Sequence, residues 1–436
     1  MSGLAIRSRI LHFLDEPLDD GTHVEYFEDG VLVVKEGKVS ICCDAKQAAR
    51  DGLKLDQCEW LPNHLLMPGF VDSHVHSPQI DVMACYGTQL LDWLENYTFP
   101  AECRYEDGEY ARQAAEDFLD YCLAAGTTTS FVFTTSHKQS TEALFEAAFE
   151  RDMRLVAGKV LMDQNALPAL QDSPRSGYDD SAALINRWHG KGRLGYAVTP
   201  RFSGTSSEQQ LQLAGKLLKE YPDVWLQTHM SENLDEIRWL KSVHPDTRDY
   251  LDTYERNGLS TERSIFAHCI HLSDDEISRL ADHGGRVAFC PTSNLFLGSG
   301  FIPIVKLKAA GIPLSIASDV GGGTSLSMLT TLAEAYKVCQ MQAYSLHPYE
   351  AFYMVTLGNA RATHLDKYIG NFEVGKEADF VILDPAPTPI MERRLNQSAT
   401  IAEQLFIYMI LGDDRSIERT YCHGVERYNK GTEGNH

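Results

Sequence analysis

The chain has 436 residues, 43% of them hydrophobic and 23% charged, with 61 acidic residues against 39 basic ones and a formal net charge of −22. This is the composition of an ordinary globular protein with a substantial core, long enough for one large domain and a smaller one. So acidic a surface repels polyphosphate, which excludes DNA or RNA as the expected partner. The N-terminal stretch from Met1 to Arg7 lacks the apolar core of a signal peptide, and no window reaches the ~18 apolar residues of a membrane span. The ten cysteines are scattered without a Cys-x-x-Cys pair, a pattern of reduced thiols rather than a disulfide frame or zinc knuckle. A cytoplasmic protein with no membrane partner is expected.

Residues 1–64 contain two short strand-like runs joined by a turn, Gly30 to Lys35 and Gly37 to Ile41. From residue 65 to about 345, β-branched or apolar runs alternate with stretches of helical periodicity, which predicts successive βα units and a parallel sheet. Eight runs are expected as strands: Leu65 to Asp72, Thr127 to Phe133, Met153 to Val160, Arg193 to Thr199, Asp223 to Thr228, Arg263 to Ala267, Gly285 to Cys290 and Ile312 to Ser318. Helix-like segments lie between them, one opening with Ser273 and Glu276 in capping-box spacing. Eight such units imply an α/β fold of the closed (β/α)8, TIM-like barrel type over residues 65–369. Further strand-like runs follow, Ala378 to Leu383 and Glu418 to Cys422. Residues 1–64 and 370–436 each lack the apolar surface to fold alone, so they are expected to pair as one small discontinuous β-sandwich domain.

A barrel of this kind carries its active site at the C-terminal ends of the strands. His74 and His76 stand at the end of the first run, where residues i and i+2 share a face and two imidazoles project together. Arg201 follows the fourth run, His229 the fifth, His268 the sixth and Asp319 the eighth. Four histidines and an aspartate scattered from position 74 to 319 are thus expected at one mouth. His189, His271, His283 and His364 lack this placement and are read as solvated or core residues.

Three imidazoles and a carboxylate around a zinc-like ion, with water completing the shell, make a catalytic rather than a structural site. Such an ion lowers the pKa of its water from ~15.7 to about 7. Glu232, three residues after His229, is expected to move protons between that water and a ring nitrogen of the substrate. It also suits the N-terminus of the helix it opens. Asp319 can act as ligand and base, while His268 either hydrogen-bonds the developing oxyanion or binds metal. No lysine ends the fourth run, where a two-metal site would take a bridging carbamate, and Lys159 lies near the end of the third; one metal is expected.

These residues resemble the amidohydrolase superfamily. The resemblance is carried by Pro68-Gly69-Phe70-Val71-Asp72-Ser73-His74-Val75-His76, by His229, His268 and Ser318-Asp319, and by the late segment from Gly370 to Phe380. Narrower runs resemble its guanine-deaminating branch: His76-Ser77-Pro78-Gln79, Leu91 to Glu102, Thr199-Pro200-Arg201-Phe202, Thr228 to Asn233 and Phe289 to Leu295. Together they span nearly the whole chain, with small departures such as Ser77 and Met230. The resemblance implies one zinc per subunit on His74, His76, His229 and Asp319, and hydrolysis of guanine to xanthine and ammonia. It further implies substrate contacts by His76, Gln79, Arg201, Phe202, His229, Glu232 and Asp319, catalytic roles for Glu232, His268 and Asp319, and a homodimer. An amide and a guanidinium can read the lactam and imidazole edges of a purine, and an aromatic ring can stack on it. Trp93 and Phe99 are candidate pocket walls or ordinary core aromatics. The His-x-Glu, Pro-Cys-x-x-Cys pattern of the other nucleobase deaminases is absent. The alternatives are a related barrel deaminase or hydrolase acting on an adenosine-like nucleoside, S-adenosylhomocysteine or a triazine, and a non-catalytic barrel scaffold, which would usually have lost a ligand or the shuttle.

Overall fold

The computed structural model describes residues 3–87 and 89–432. Four strands open the chain: β1 (Leu4–Phe13), β2 (Val24–Lys35), β3 (Lys38–Asp44) and β4 (Glu59–Pro68). The barrel strands follow as β5 (Phe70–His76), β6 (Thr127–Phe133), β7 (Arg154–Gly158), β8 (Val160–Leu161), β9 (Leu194–Pro200), β10 (Trp225–Met230), β11 (Ser264–His268), β12 (Arg286–Phe289) and β13 (Leu314–Ile316). They lie in the order β5-β6-β7-β9-β10-β11-β12-β13, with β8 beside β9, and their ladders are parallel. Such strands are covered on both faces, and every residue of Thr127–Phe133 is buried, which is why they read as unbroken β-branched and apolar runs.

The first and last barrel strands are joined by hydrogen bonds beyond β13. Asp319 N–H donates to His74 O at 3.0 Å and His76 N–H to Val320 O at 2.8 Å. Ser73 Oγ donates to Ile316 O at 3.0 Å. The Asn359 amide bridges the same seam, donating to Val71 O at 2.6 Å and Ile316 O at 2.8 Å.

Three late strands, β14 (Phe380–Leu383), β15 (Ile417–Cys422) and β16 (Val425–Asn429), return to the N-terminal ones. The two termini therefore share one seven-stranded sheet, in the order β16-β15-β14-β4-β1-β2-β3. Alternation sorts its faces: Leu65 and Met67 join the main core with the barrel helices, while Leu66 packs with Ile6, Ile10 and Phe380 on the opposite side.

Seven of the eight expected barrel strands are present, each boundary within two residues of its expected place. The run expected as one strand over 65–72 divides: Leu65–Pro68 belong to β4 in the terminal sheet, and the barrel strand starts at Phe70. Gly69 makes the passage, because a Cβ there would lie 2.2 Å from Thr128 Oγ1. An apolar run records burial, not a change of sheet. The Ser273–Glu276 capping box forms as expected. No helix among the described residues is long and apolar enough to cross a membrane.

At the far end of the barrel from His74, a buried charge cluster ties strand starts to the segment entering β14. Arg154 Nε donates to Glu377 Oε2 at 2.8 Å, Arg193 Nε donates to the same oxygen at 2.9 Å, and Arg193 also pairs with Asp379. Burial works to raise the Glu377 carboxyl, but the two guanidiniums outweigh it and hold it below the ordinary carboxylate value. Glu377→Gln leaves two buried cations short of a partner and should cost about 3–5 kcal/mol in urea unfolding at pH 7. A folded-state pKa below the unfolded ~4.3 makes that contribution complete above the unfolded value and loses it as pH falls through the folded one. The gap between wild type and variant should therefore narrow below about pH 4; a gap unchanged at pH 3 would count against the cluster.

Candidate active site

His74 and His76 close β5, and His229 lies one residue from the end of β10. His268 ends β11, and Asp319 follows β13. The Nε2 atoms of His74 and His229 stand 3.2 and 3.1 Å from His76 Nε2. Asp319 Oδ1 lies 3.1 Å from His74 Nε2 and 3.4 Å from His76 Nε2. Donors held 2.0–2.1 Å from a tetrahedral ion stand about 3.3 Å apart, so these four atoms fit a single divalent cation. His229 Nδ1 lies 2.6 Å from Arg201 O; donation to that carbonyl leaves the Nε2 lone pair facing the cluster. Phe133 packs against all three ligand-type rings, with centroids 4.7–4.8 Å away.

The electrostatics suit cation binding, which needs neutral imidazoles and an ionised carboxylate. Burial, aided by His74, depresses His76 to about 3, and burial with the neighbouring imidazoles takes His229 well below its usual value. Burial opposes ionisation of Asp319, yet His74, His76 and His268 hold it well below the ordinary carboxylate range. Beneath the cluster, Asp72 accepts from Ser318 N–H at 3.0 Å and from the Ser318 hydroxyl. Asp319, His268 and Ser231 all have positive φ, at 50°, 74° and 52°. Such conformations cost non-glycine residues of order 1–3 kcal/mol each and concentrate at functional sites.

Glu232 is buried beside this group. Its Oε1 accepts from Ser299 Oγ at 3.0 Å and its Oε2 lies 3.4 Å from His268 Nε2. Burial, followed by the charges of Asp319 and Glu236, raises its pKa well above the usual value. His268 is depressed to about 4 by burial, and Asn294 Nδ2 meets its Nδ1 at 2.8 Å. Donation from that amide puts the imidazole proton on Nε2, facing Glu232 and, at 3.7 Å, Asp319 Oδ2.

A cleft opens over these groups, bordered by His76, Gln79, Arg201, Phe202, His229, Glu232, His268 and Asp319. Every site residue expected from the sequence borders it except His74, which is 1% exposed and packs behind. Trp93 lines the cleft; Phe99 does not, and instead lies under the Arg201 guanidinium with its centroid 5.1 Å away. Lys159 is spoken for by Asp172 at 2.5 Å. His189, His283 and His364 hold positions elsewhere, and His271 Nε2–H donates to Ser299 O at 2.9 Å.

Sequence reasoning missed Asp72, Glu102, Phe133, Asn294 and Ser299 as parts of the site. Glu102 had a usable signal, a lone acid in the apolar run Phe99-Pro100-Ala101, and it is fully buried between Arg201 and Gln79. The others look like ordinary strand or loop residues until the barrel closes.

The chain belongs to the amidohydrolase family, whose model matches residues 65–427. It is 48% identical over 414 residues to the guanine deaminase of Escherichia coli (strain K12), covering 94% of each chain. Its fold superposes on the E. coli guanine deaminase structure with a TM-score of 0.95 at 46% identity, covering 98% of this chain and 100% of that one. It also matches guanine deaminase from C. acetobutylicum with guanine bound in the active site, at a TM-score of 0.89 and 28% identity, covering 98% of this chain and 100% of that one.

If the four donors hold an ion, His229→Ala removes one of them. Elemental analysis after dialysis should show metal content fall from one ion per chain, with affinity reduced by at least the roughly 10–100-fold that losing an outer-shell partner costs. Unchanged stoichiometry and affinity would remove His229 from the set.

Proposed function

We propose that the chain is a hydrolase of cyclic-amidine C–N bonds that deaminates guanine to xanthine and ammonia. One observation carries the reading: a single cleft joins the four-donor cluster and a buried Glu232, whose affinity for a proton is raised by burial, to an amide and a guanidinium able to read a purine. The similarity to guanine deaminases over nearly the full chain supports the same substrate. Zinc is the proposed metal, on His74, His76, His229 and Asp319. When bound, it supplies a water that is nucleophilic at neutral pH.

The remaining chemistry falls to side chains. Glu232 takes a proton from the attacking water as its oxygen bonds to C2 of the purine, and passes that proton to N3. Its apolar, anion-flanked setting favours the protonated form, so the proton is retained until the ring nitrogen becomes basic enough to accept it. His268, neutral and with Nε2–H directed into the site, hydrogen-bonds the new oxygen. The hydroxyl proton then moves through Asp319 to the departing 2-amino group, the C2–N bond breaks, and ammonia leaves. Gln79 and Arg201 hold the purine by its polar edges, and Phe202 supplies an aromatic surface beside it. A homodimer belongs to this reading through the family resemblance, and a cytoplasmic setting through ten free cysteines.

Purified protein loaded with zinc should consume guanine and release one ammonia per xanthine formed; turnover of adenine or a nucleoside, but not guanine, would contradict the substrate. Glu232→Gln should keep its zinc and lose about 10²–10⁴-fold in kcat. Full activity in that variant would exclude Glu232 as the proton carrier.

A further inference from the structure

Gln79 and Arg201 border the cleft, yet neither is free to choose its orientation. Both are tied to Glu102, which is itself outside the cleft lining and fully buried. Arg201 Nη1 donates to both Glu102 oxygens, at 2.8 and 2.7 Å. Gln79 Nε2 donates to Glu102 Oε1 at 3.2 Å, and Gln79 Oε1 accepts from Gly321 N–H at 3.2 Å. A carboxylate can only accept and a backbone N–H can only donate, so these two partners determine which end of the amide is which. A flipped amide would set N–H against N–H at Gly321 and oxygen against carboxylate at Glu102. The space is also closed, since a Cβ on Gly321 would come within 2.5 Å of Gln79 O.

The locked groups present a definite pattern to the cleft. The Gln79 amide retains one hydrogen on Nε2 and one lone pair on Oε1. Arg201 retains Nε and Nη2, which have no hydrogen-bond partner among the described residues, and these can only donate. A lactam offers the complement, an N–H for Oε1 beside a carbonyl for Nε2 and the guanidinium. An aminopurine offers a ring lone pair and an NH₂ group in those places, which sets acceptor against acceptor and donor against donor. Sites built to hydrogen-bond a substrate reject the mismatched analogue strongly, because their buried polar groups are left unpaired.

We propose that Glu102 is a positioning residue for specificity: by fixing the Gln79 amide and the Arg201 guanidinium together, it makes the cleft select a 6-oxopurine over a 6-aminopurine. The inference rests on the guanine reading above. It acts on recognition, not on the proton transfers at Glu232.

The test compares kcat and KM for guanine and 2,6-diaminopurine, which carries the same 2-amino group but an amine in place of the lactam oxygen. Glu102→Gln preserves shape but no longer dictates the Gln79 orientation. It should cut the guanine-over-diaminopurine ratio of kcat/KM by about tenfold or more, the scale of a hydrogen bond lost or mismatched, chiefly through the KM for guanine. In a Gln79→Ala background the same substitution should shift the ratio much less. Equal losses on both substrates would mark a merely structural role and overturn the proposal, as would an unchanged ratio. If Glu102→Gln does not fold, Glu102→Asp keeps the charge near Arg201 while withdrawing the acceptor from Gln79, and must show the same fall in the ratio. Wild-type protein that leaves guanine untouched would instead overturn the substrate reading beneath it.

Discussion

The seam between the first and last barrel strands is the constraint on which the site depends. His74 O accepts from Asp319 N–H and His76 N–H donates to Val320 O, so two histidines and an aspartate distant in sequence are held in one register. Side chains alternate along a strand with a period of two, and a slip of one residue would turn His74 and His76 away together. Asp72 and Asn359 secure that register from either side, through Ser318 and through the carbonyls of Val71 and Ile316. Burial raises Asp72 to about 6, against the opposing hydrogen bonds from Ser318. Those bonds offset only part of the carboxylate's desolvation.

From the seam outward, the cleft divides its labour. One wall holds the three imidazoles and the carboxylate of the donor cluster together with Glu232 and His268, all contributed by strand ends or the residues just beyond them. The other holds Arg201, just beyond β9, and Gln79, from the long excursion after β5, with Glu102 of the same excursion buried behind them. His76 belongs to the first wall and Gln79, three residues later, to the second. In the proposed reading, the short turn between them couples the position of the reacting group to the position of the purine. Rigid scaffold on one side and loop-borne contacts on the other is the arrangement by which a barrel keeps its chemistry while its substrate is set by the loops.

Much of this was legible in the residues themselves. Parallel strands buried on both faces leave apolar runs, so the barrel strands could be read nearly to their ends, and the histidines at those ends marked the mouth. Gly69 shows the limit: Leu65–Pro68 and Phe70–His76 are equally buried, and nothing in their hydrophobicity reveals that the chain passes from one sheet to another there. Partnerships were harder still. Glu102, Asn294 and Ser299 gain meaning only through Arg201, His268 and Glu232, from which they are separated by loops whose paths no local pattern specifies. Strand β4 and the parallel β1–β4 pairing also depend on contacts between distant segments.

The central claim is that one ion sits where His74, His76, His229 and Asp319 converge, with the purine between it and the Gln79–Arg201 pair. Anomalous diffraction from crystals of the zinc-loaded protein with bound xanthine tests this most directly. The account predicts one zinc peak per chain among the three Nε2 atoms and Asp319 Oδ1, and xanthine with its 6-oxo edge toward Gln79 and Arg201. A second peak, a peak displaced toward His268 and Cys290, or xanthine bound with that edge turned away would contradict it.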